Sequence, residues 1–350
     1  MNCKILLIAG SLDPSVSFEY CYLQQPLERL TDNFIAFDFV ASLQREGRSE
    51  MNQNLLGLVK RERPDIAIFV PQTDQFLPEV VDEISRHTLT VGYFFDDMWR
   101  IEYSRFWASH FTFVTTSDVN GVRKFRDAGF DNAIFSPFGC NELIYCRKDL
   151  PKLYDVSFVG QYHPYREWYL AHLKEAGISV RVWGMGGWPS GLLKTDQIVE
   201  VFNQSRINLN LSNSVSWDAR YLMTLDRPVK STFRAWRDTF YALRKSGRKV
   251  REQVKARHFE INACGGFQLS YYVEGLERHY RIGDEIAVYA SPEELVEKVQ
   301  YYLRHESERE KIAQRGYERT LRDHTMKYRL EQVLRAIGFS ESGILSEHSR

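Results

Sequence analysis

Arg257-His-Phe-Glu-Ile-Asn-Ala-Cys-Gly-Gly-Phe-Gln-Leu-Ser270 reads as the first turn of a helix, a body of small residues, a Gly-Gly break and a short apolar strand. Glu260 falls in the first turn, where backbone N–H groups lack helical partners and the helix dipole is positive. Ala263 and Cys264 leave room for a ligand or a neighbouring backbone, and Gly265-Gly266 can end the helix at positive φ. Such a helix end suits a phosphate or a ribose: the amides donate, and the glutamate accepts from two vicinal hydroxyls. A buried helix that simply stops at Gly-Gly also explains the stretch, and taken alone the stretch favours that plainer reading.

Outward from this stretch, a chain of 350 residues is longer than one ordinary core and predicts two domains. Lys plus Arg and Asp plus Glu both number 46, so no global charge draws the chain to nucleic acid or an anionic membrane. The aromatic share of 14% is high, and sugars and bases both bind against aromatic faces. Cys3, Cys21, Cys140, Cys146 and Cys264 show neither metal nor disulfide spacing, which points to a reducing cytoplasm. The apolar run after Met1 is too short for a signal segment, and no stretch approaches a membrane span.

Lys4 to Gly10 is an apolar run of buried parallel-strand type, and Gly10 and Ser11 open a loop before a helix that runs through Leu30. Strands are expected at 35–40, 66–71, 90–95, 111–116 and 133–137, with helices at 52–63, 76–86 and 119–128 between them. Strands alternating with helices at this spacing make a doubly wound parallel sheet whose ligand edge is the carboxyl end of the strands. Asp96 and Asp97 lie at that edge. The pattern restarts with a strand at 155–160, followed by a helix at 166–175, a strand at 179–183 ending in Gly184-Met-Gly-Gly187, a helix at 195–205 and a strand at 207–211. Helical patterns at 293–305, 307–320 and 326–337 close the chain. The fold class is therefore α/β, with an N-terminal Rossmann-like domain over 1–147 and a second over 148–325, facing across a cleft. A C-terminal helix and tail over 326–350 can cross back to the first domain. The second domain carries an insert at about 214–254 whose basic stretch, 227–251, interleaves aromatics. It reads first as a solvated helix packed on the body, and second as a surface for a membrane, an acidic or phosphorylated partner, or nucleic acid.

Val254 to Phe267, Glu274-Gly-Leu-Glu-Arg-His-Tyr280 and Gly283-Asp-Glu-Ile-Ala-Val-Tyr289 together resemble the C-terminal half of the CgeB-like glycosyltransferases. Asp155 to Gly160, Ile207 to Leu211, Ile312-Ala-Gln-Arg-Gly-Tyr317 and His324-Thr325 extend the resemblance over about 155–335, and Tyr93-Phe-Phe-Asp-Asp97 is a weaker match. The resemblance implies the GT-B fold, with glycosyl transferases group 1 type in the C-terminal domain. It implies a bacterial, hexosyltransferase-like enzyme that moves a sugar from a nucleotide-diphosphate sugar to a hydroxyl-bearing acceptor. No metal and no cofactor are expected beyond the nucleotide-sugar co-substrate. The acceptor is open among glycan, protein, lipid and small molecule.

The resemblance gives Glu260 the role of ribose ligand, with a helix-dipole role as the plainer alternative. Arg257 and Lys255 are candidates for the diphosphate. Gly160, Gly184, Gly186, Gly265 and Gly266 are candidates for close donor approach, although turns need glycine anyway. The family's second glutamate, eight positions upstream, would be Glu252; it sits in a Lys/Arg-rich run, and the spacing is taken as coincidence. Asp97 or Asp96 would activate the acceptor hydroxyl, or else cap the following helix. Gly10 and Ser11 would approach the acceptor. His163, His258 and His324 are isolated, without metal spacing. A non-catalytic nucleotide-sugar sensor or scaffold of the same fold is the alternative function.

Overall fold

The computed structural model describes residues 3–10, 12, 17–95, 97–213, 220–221, 252–340 and 343–344, with the backbone alone at 97, 98, 340, 343 and 344. Ser11, Asp96 and the basic stretch 227–251 lie outside the described residues. The chain divides into two units. One runs to Asn141 and takes in the chain again from Met326; the other spans Glu142–Thr325.

The first unit is built on β1 (Lys4–Ala9), whose residues 5–9 have no solvent contact. A strand buried on both faces needs parallel neighbours covered by helices. It has them in β2 (Asn33–Asp38) and β3 (Ile66–Phe69), and the sheet continues through β4 (Leu89–Gly92), β5 (Phe113–Thr116) and β6 (Ala133–Phe135). All pairings are parallel, in the order β2-β1-β3-β4-β5-β6. Helices α2 (Phe39–Glu46), α3 (Arg48–Glu62), α4 (Pro78–Ser85), α5 (Asp97–Ala108) and α6 (Gly121–Asp127) connect the strands.

The long helix expected after Gly10 is shorter: a π-helical turn over Tyr20–Gln24 runs into α1, Gln25–Glu28. Pro26 is the physical reason, since it has no N–H to continue an i→i−4 ladder and tolerates only the first turn of a helix. The strand expected through Phe95 stops at Gly92, where the ladder passes to single bonds: Tyr93 N–H to Phe69 O at 2.7 Å, and Phe94 N–H to the Thr115 hydroxyl at 3.0 Å. The last helix, α12 (Met326–Ala336), packs on α1 of this unit, and Met326 N–H donates to Cys140 O at 2.7 Å.

The second unit orders its strands β11-β10-β9-β7-β8, again all parallel. These are β7 (Tyr154–Val159), β8 (Arg181–Trp183), β9 (Ser205–Asn210), β10 (Gln268–Tyr271) and β11 (Ala287–Tyr289). Its helices are α7 (Pro164–Glu175), α8 (Thr195–Gln204), α9 (Arg257–Ala263), α10 (Pro292–Arg304) and α11 (Glu306–Asp323). Residues 142–147, kept with the first domain in the sequence reading, fall here, where Arg147 lies over the Tyr317 ring at 4.1 Å.

Candidate functional sites at two carboxyl edges

In an open parallel sheet the ligand crevice forms where successive connections leave a strand in opposite directions. In the first unit that point is between β1 and β3. Gly10 follows β1, and a Cβ there would sit 2.9 Å from Val40 Cγ2 and 3.3 Å from Gln72 Nε2, so glycine is required by close packing. Beside it stands Glu19, half-buried. Its carboxylate accepts from Gln72 Nε2 at 3.1 Å and from the Ser17 hydroxyl at 3.4 Å. Burial pushes its pKa above the ordinary carboxylate range, and the charge of Asp38 adds to this, against the lowering from its hydrogen bonds. Phe18 stacks on Tyr22 at 4.3 Å and meets Phe95 edge-on at 5.0 Å, and Phe95 tilts against Phe138 at 5.4 Å. This edge thus pairs an aromatic wall with a carboxyl group whose pKa burial raises. Asp97 is the first residue of α5.

In the second unit the reversal point lies between β7 and β9. Gly160 ends β7; its N–H donates to Trp183 O at 2.9 Å and its carbonyl accepts from Trp188 Nε1 at 2.8 Å. Gly184 has φ +143, and a side chain on it would collide with the Gly160 carbonyl, so its bareness serves loop-on-loop packing. Gly186, at φ +93, lies against Tyr162 in the same way. Arg166, in the first turn of α7, crosses this reversal point: Nε donates to Asn213 O at 3.1 Å and Nη1 to Gln161 O at 2.7 Å. Burial lowers its pKa, the charge of Glu252 opposes this, and the charge of Arg257 adds to it. Glu252 is thereby placed within electrostatic reach of Arg166, although its spacing was read as coincidence.

Helix α9 runs back toward the amino edge before β10, so its first turn opens on this same carboxyl edge. Arg257 Nη1 pairs with Glu260 Oε2 at 2.6 Å, and the guanidinium lies over the Phe202 ring at 5.0 Å. The Glu260 side chain is only 7% exposed and that of Arg257 26%. Lys255 sits half-buried in the turn before the helix, where its N–H donates to His258 Nδ1 at 3.1 Å. Two further groups were missed in the sequence. Asn213, fully buried just past β9, has both side-chain polar atoms without a hydrogen-bond partner among the described residues. The buried hydroxyl of Tyr289, the last residue of β11, is in the same state. Buried polar groups are normally satisfied, so an amide with no described partner at this edge is a candidate for ligand contact. Sequence offers no signal for either, because both residue types end strands everywhere.

Gly265 and Gly266 do not join this edge. Cys264 ends α9, Gly265 takes φ +67, Gly265 N–H donates to Asn262 O at 2.9 Å and Gly266 N–H to Ile261 O at 3.1 Å. That is a Schellman closure, and it lies at the amino end of β10, one helix length from Arg257. The three isolated histidines have structural partners: His163 Nδ1 accepts from Tyr165 N–H at 3.2 Å, His258 is locked in the α9 turn, and His324 Nε2 bonds His279 O at 2.8 Å. Among the described residues, no group of three or more His, Cys, Asp or Glu could hold a metal ion, and no helix is long and apolar enough to cross a membrane.

Residues 166–335 match the family model of glycosyl transferase-like proteins. Among solved structures, Anabaena Alr3699/HepE in complex with UDP and glucose superposes with a TM-score of 0.62 at 11% identity, over 96% of this chain and 99% of that one. Sucrose-phosphate synthase from Thermosynechococcus elongatus gives 0.62 at 10% identity over 96% and 99%. A glycosyltransferase from Rickettsia africae gives 0.61 at 9% identity over 96% and 98%. Among curated proteins, none matches the chain. The fold is GT-B: two units, each an α/β layer structure on a parallel sheet.

Proposed function

We propose that the chain is a glycosyltransferase that moves a hexose from a nucleotide-diphosphate sugar to a hydroxyl-bearing acceptor. The observation that carries the reading is a coincidence of place. The segment matching the glycosyl transferase-like family covers most of the unit whose carboxyl edge gathers Arg166, Asn213, Arg257 and Glu260. The donor binds there. Glu260 accepts from the ribose hydroxyls, held in place by Arg257. Arg257 and Arg166, with Lys255 nearby, offset the charge that develops on the diphosphate as the glycosidic bond breaks, a task that needs no metal ion. The open amide of Asn213 supplies a donor and an acceptor to the same ligand. UDP bound in the HepE structures supports uracil as the first base to test.

The acceptor belongs to the first unit. Its hydroxyl is bound against Phe18 and Phe95, and its proton passes to a carboxylate at that edge. Glu19 is the stronger candidate, because burial raises its pKa and so makes it the better proton acceptor. Asp97, the first residue of α5, and Asp96 are the alternative of the sequence reading. The location is proposed as the cytoplasm.

The test is calorimetric titration with UDP, GDP, TDP, ADP and CMP, then hydrolysis of the sugar form of whichever binds. Binding by one diphosphate, lost in Glu260→Gln, is the expected result. Nucleotide binding that is unchanged in Glu260→Gln would remove the donor-site assignment. Tight binding without any turnover would favour a nucleotide-sugar sensor over an enzyme.

A further inference from the structure

We propose that a cleft at the amino-terminal edge of the second sheet binds a small phosphoanion carrying at least two charges, at a site separate from the Arg257–Glu260 edge. The cleft measures about 780 Å³ and lies where β7, β9 and β10 begin: Lys152, Asn203 and Gly265 all line it. The Gly-Gly end of α9 thus opens on this cleft.

Five cations line it, Arg147, Lys148, Lys152, Lys311 and Arg315, against the carboxylates Asp149, Glu310 and Glu318, an excess of two positive charges (five minus three). Arg315 is committed to Asp284, and Lys148 lies 3.9 Å from Glu200. Arg147, Lys152 and Lys311 form no ion pair among the described residues, although the charge of Glu310 reaches Lys152 through space. Arg147 is nevertheless fixed. Its guanidinium lies 4.1 Å over the Tyr317 ring, Nη2 donates to Gln314 Oε1 at 2.8 Å, and it passes over Gly265 where any side chain would strike it. An arginine held by a ring, an amide and a bare glycine presents its remaining donors without further ordering, as bidentate recognition of phosphate requires. Lys152 is held likewise, with Nζ donating to Asn203 O at 2.8 Å and Ser205 O at 3.1 Å, which leaves one N–H for a ligand. The volume exceeds that of one phosphate, and the carboxylates in the same lining repel an extended anionic sheet, so the ligand is a compact soluble anion with two neighbouring charged groups.

The experiment is titration of the full chain with inorganic pyrophosphate at low ionic strength. It compares wild type, the double variant Arg147→Met/Lys311→Met, and the donor-edge double variant Arg257→Met/Glu260→Gln. The proposal expects wild type to bind, the cleft variant to bind at least about tenfold more weakly, and the donor-edge variant to bind within a few-fold of wild type. It is overturned if wild type does not bind, if the cleft variant binds like wild type, or if the donor-edge variant loses the binding. Should Arg147→Met unsettle the fold, Lys311→Glu at an exposed position reverses one charge and must itself weaken binding; unchanged binding in that variant is equally fatal.

Discussion

Arg257→Met removes one member of an enclosed ion pair and leaves the other in place. Breaking such a pair from one side costs about 3–5 kcal/mol when both charges are enclosed, because the survivor has neither water nor a partner. Arg257 keeps 26% of its side chain in solvent and Glu260 only 7%, so the lower end, about 3 kcal/mol, is expected. At about 2–4 °C per kcal/mol for a unit of this size, the melting midpoint falls by about 6–12 °C. Adding Glu260→Gln removes the stranded charge, so the double variant recovers most of the loss and ends within about 1 kcal/mol of wild type. Scanning calorimetry reads the four corners of this cycle and separates the two units if they melt apart. A single variant within 2 °C of wild type (roughly 1 kcal/mol), or a double variant that melts no higher than the single one, refutes the reasoning. The double variant also isolates function from folding: if it is stable yet binds UDP as wild type does, the pair has no part in donor binding.

Glu19→Gln keeps shape but cannot take a proton, so turnover should fall about 10²–10⁴-fold with nucleotide affinity unchanged; a rate within threefold of wild type, measured by product formation, returns the base role to Asp97. Burial holds the His258 pKa down to about 4 from its usual 6.5. Above pH 6.5 the ring is neutral in folded and unfolded chains alike; below it only the unfolded chain takes the proton, so stability is lost as pH falls from about 6.5 to about 4, by up to about 3 kcal/mol. Denaturant titrations across that window should show a shallower slope in His258→Gln, and an unchanged slope would count against the assignment. Gly316→Ala, ordinarily favourable inside a helix by about 1 kcal/mol, should here lower the midpoint, because the new methyl meets the Glu285 carbonyl and sits 3.1 Å from Asn262 Nδ2. A raised midpoint would show that α11 shifts freely.

The two-sheet α/β architecture was readable because buried parallel strands write themselves as apolar runs with no alternation. Ile5 to Ala9 and Val156 to Val159 carry that signature, and capped helices between such runs leave few other folds. What escaped were places where one residue redirects the backbone. Pro26 turned an expected long helix into a π-turn and a short helix. The strand ends at Gly92, where a Cβ would lie 2.6 Å from Phe111, although its apolar letters continue to Phe95. Apolar character marks burial, and burial continues past the end of a ladder.

The candidate site shows a different limit. The motif Arg257–Ser270 identifies a helix and its two ends, but a helix about 10 Å long delivers those ends to opposite edges of one sheet. Arg257 and Glu260 open on the carboxyl edge with Arg166, while Gly265 opens on the amino edge with Arg147. Read as letters, the four residues of the motif proposed for the donor, Arg257, Glu260, Gly265 and Gly266, fall within one short stretch and invite one ligand. Read as a βαβ crossover, the rise per residue separates them, because the helix must run antiparallel to the strand it feeds. Asn213 and Glu19 mark the complementary blind spot. Neither belongs to a motif: Asn213 matters for the partners its amide lacks among the described residues, and Glu19 for the burial that shifts its proton affinity. Both properties belong to surroundings assembled from distant parts of the chain, so they exist only once the sheet order is known.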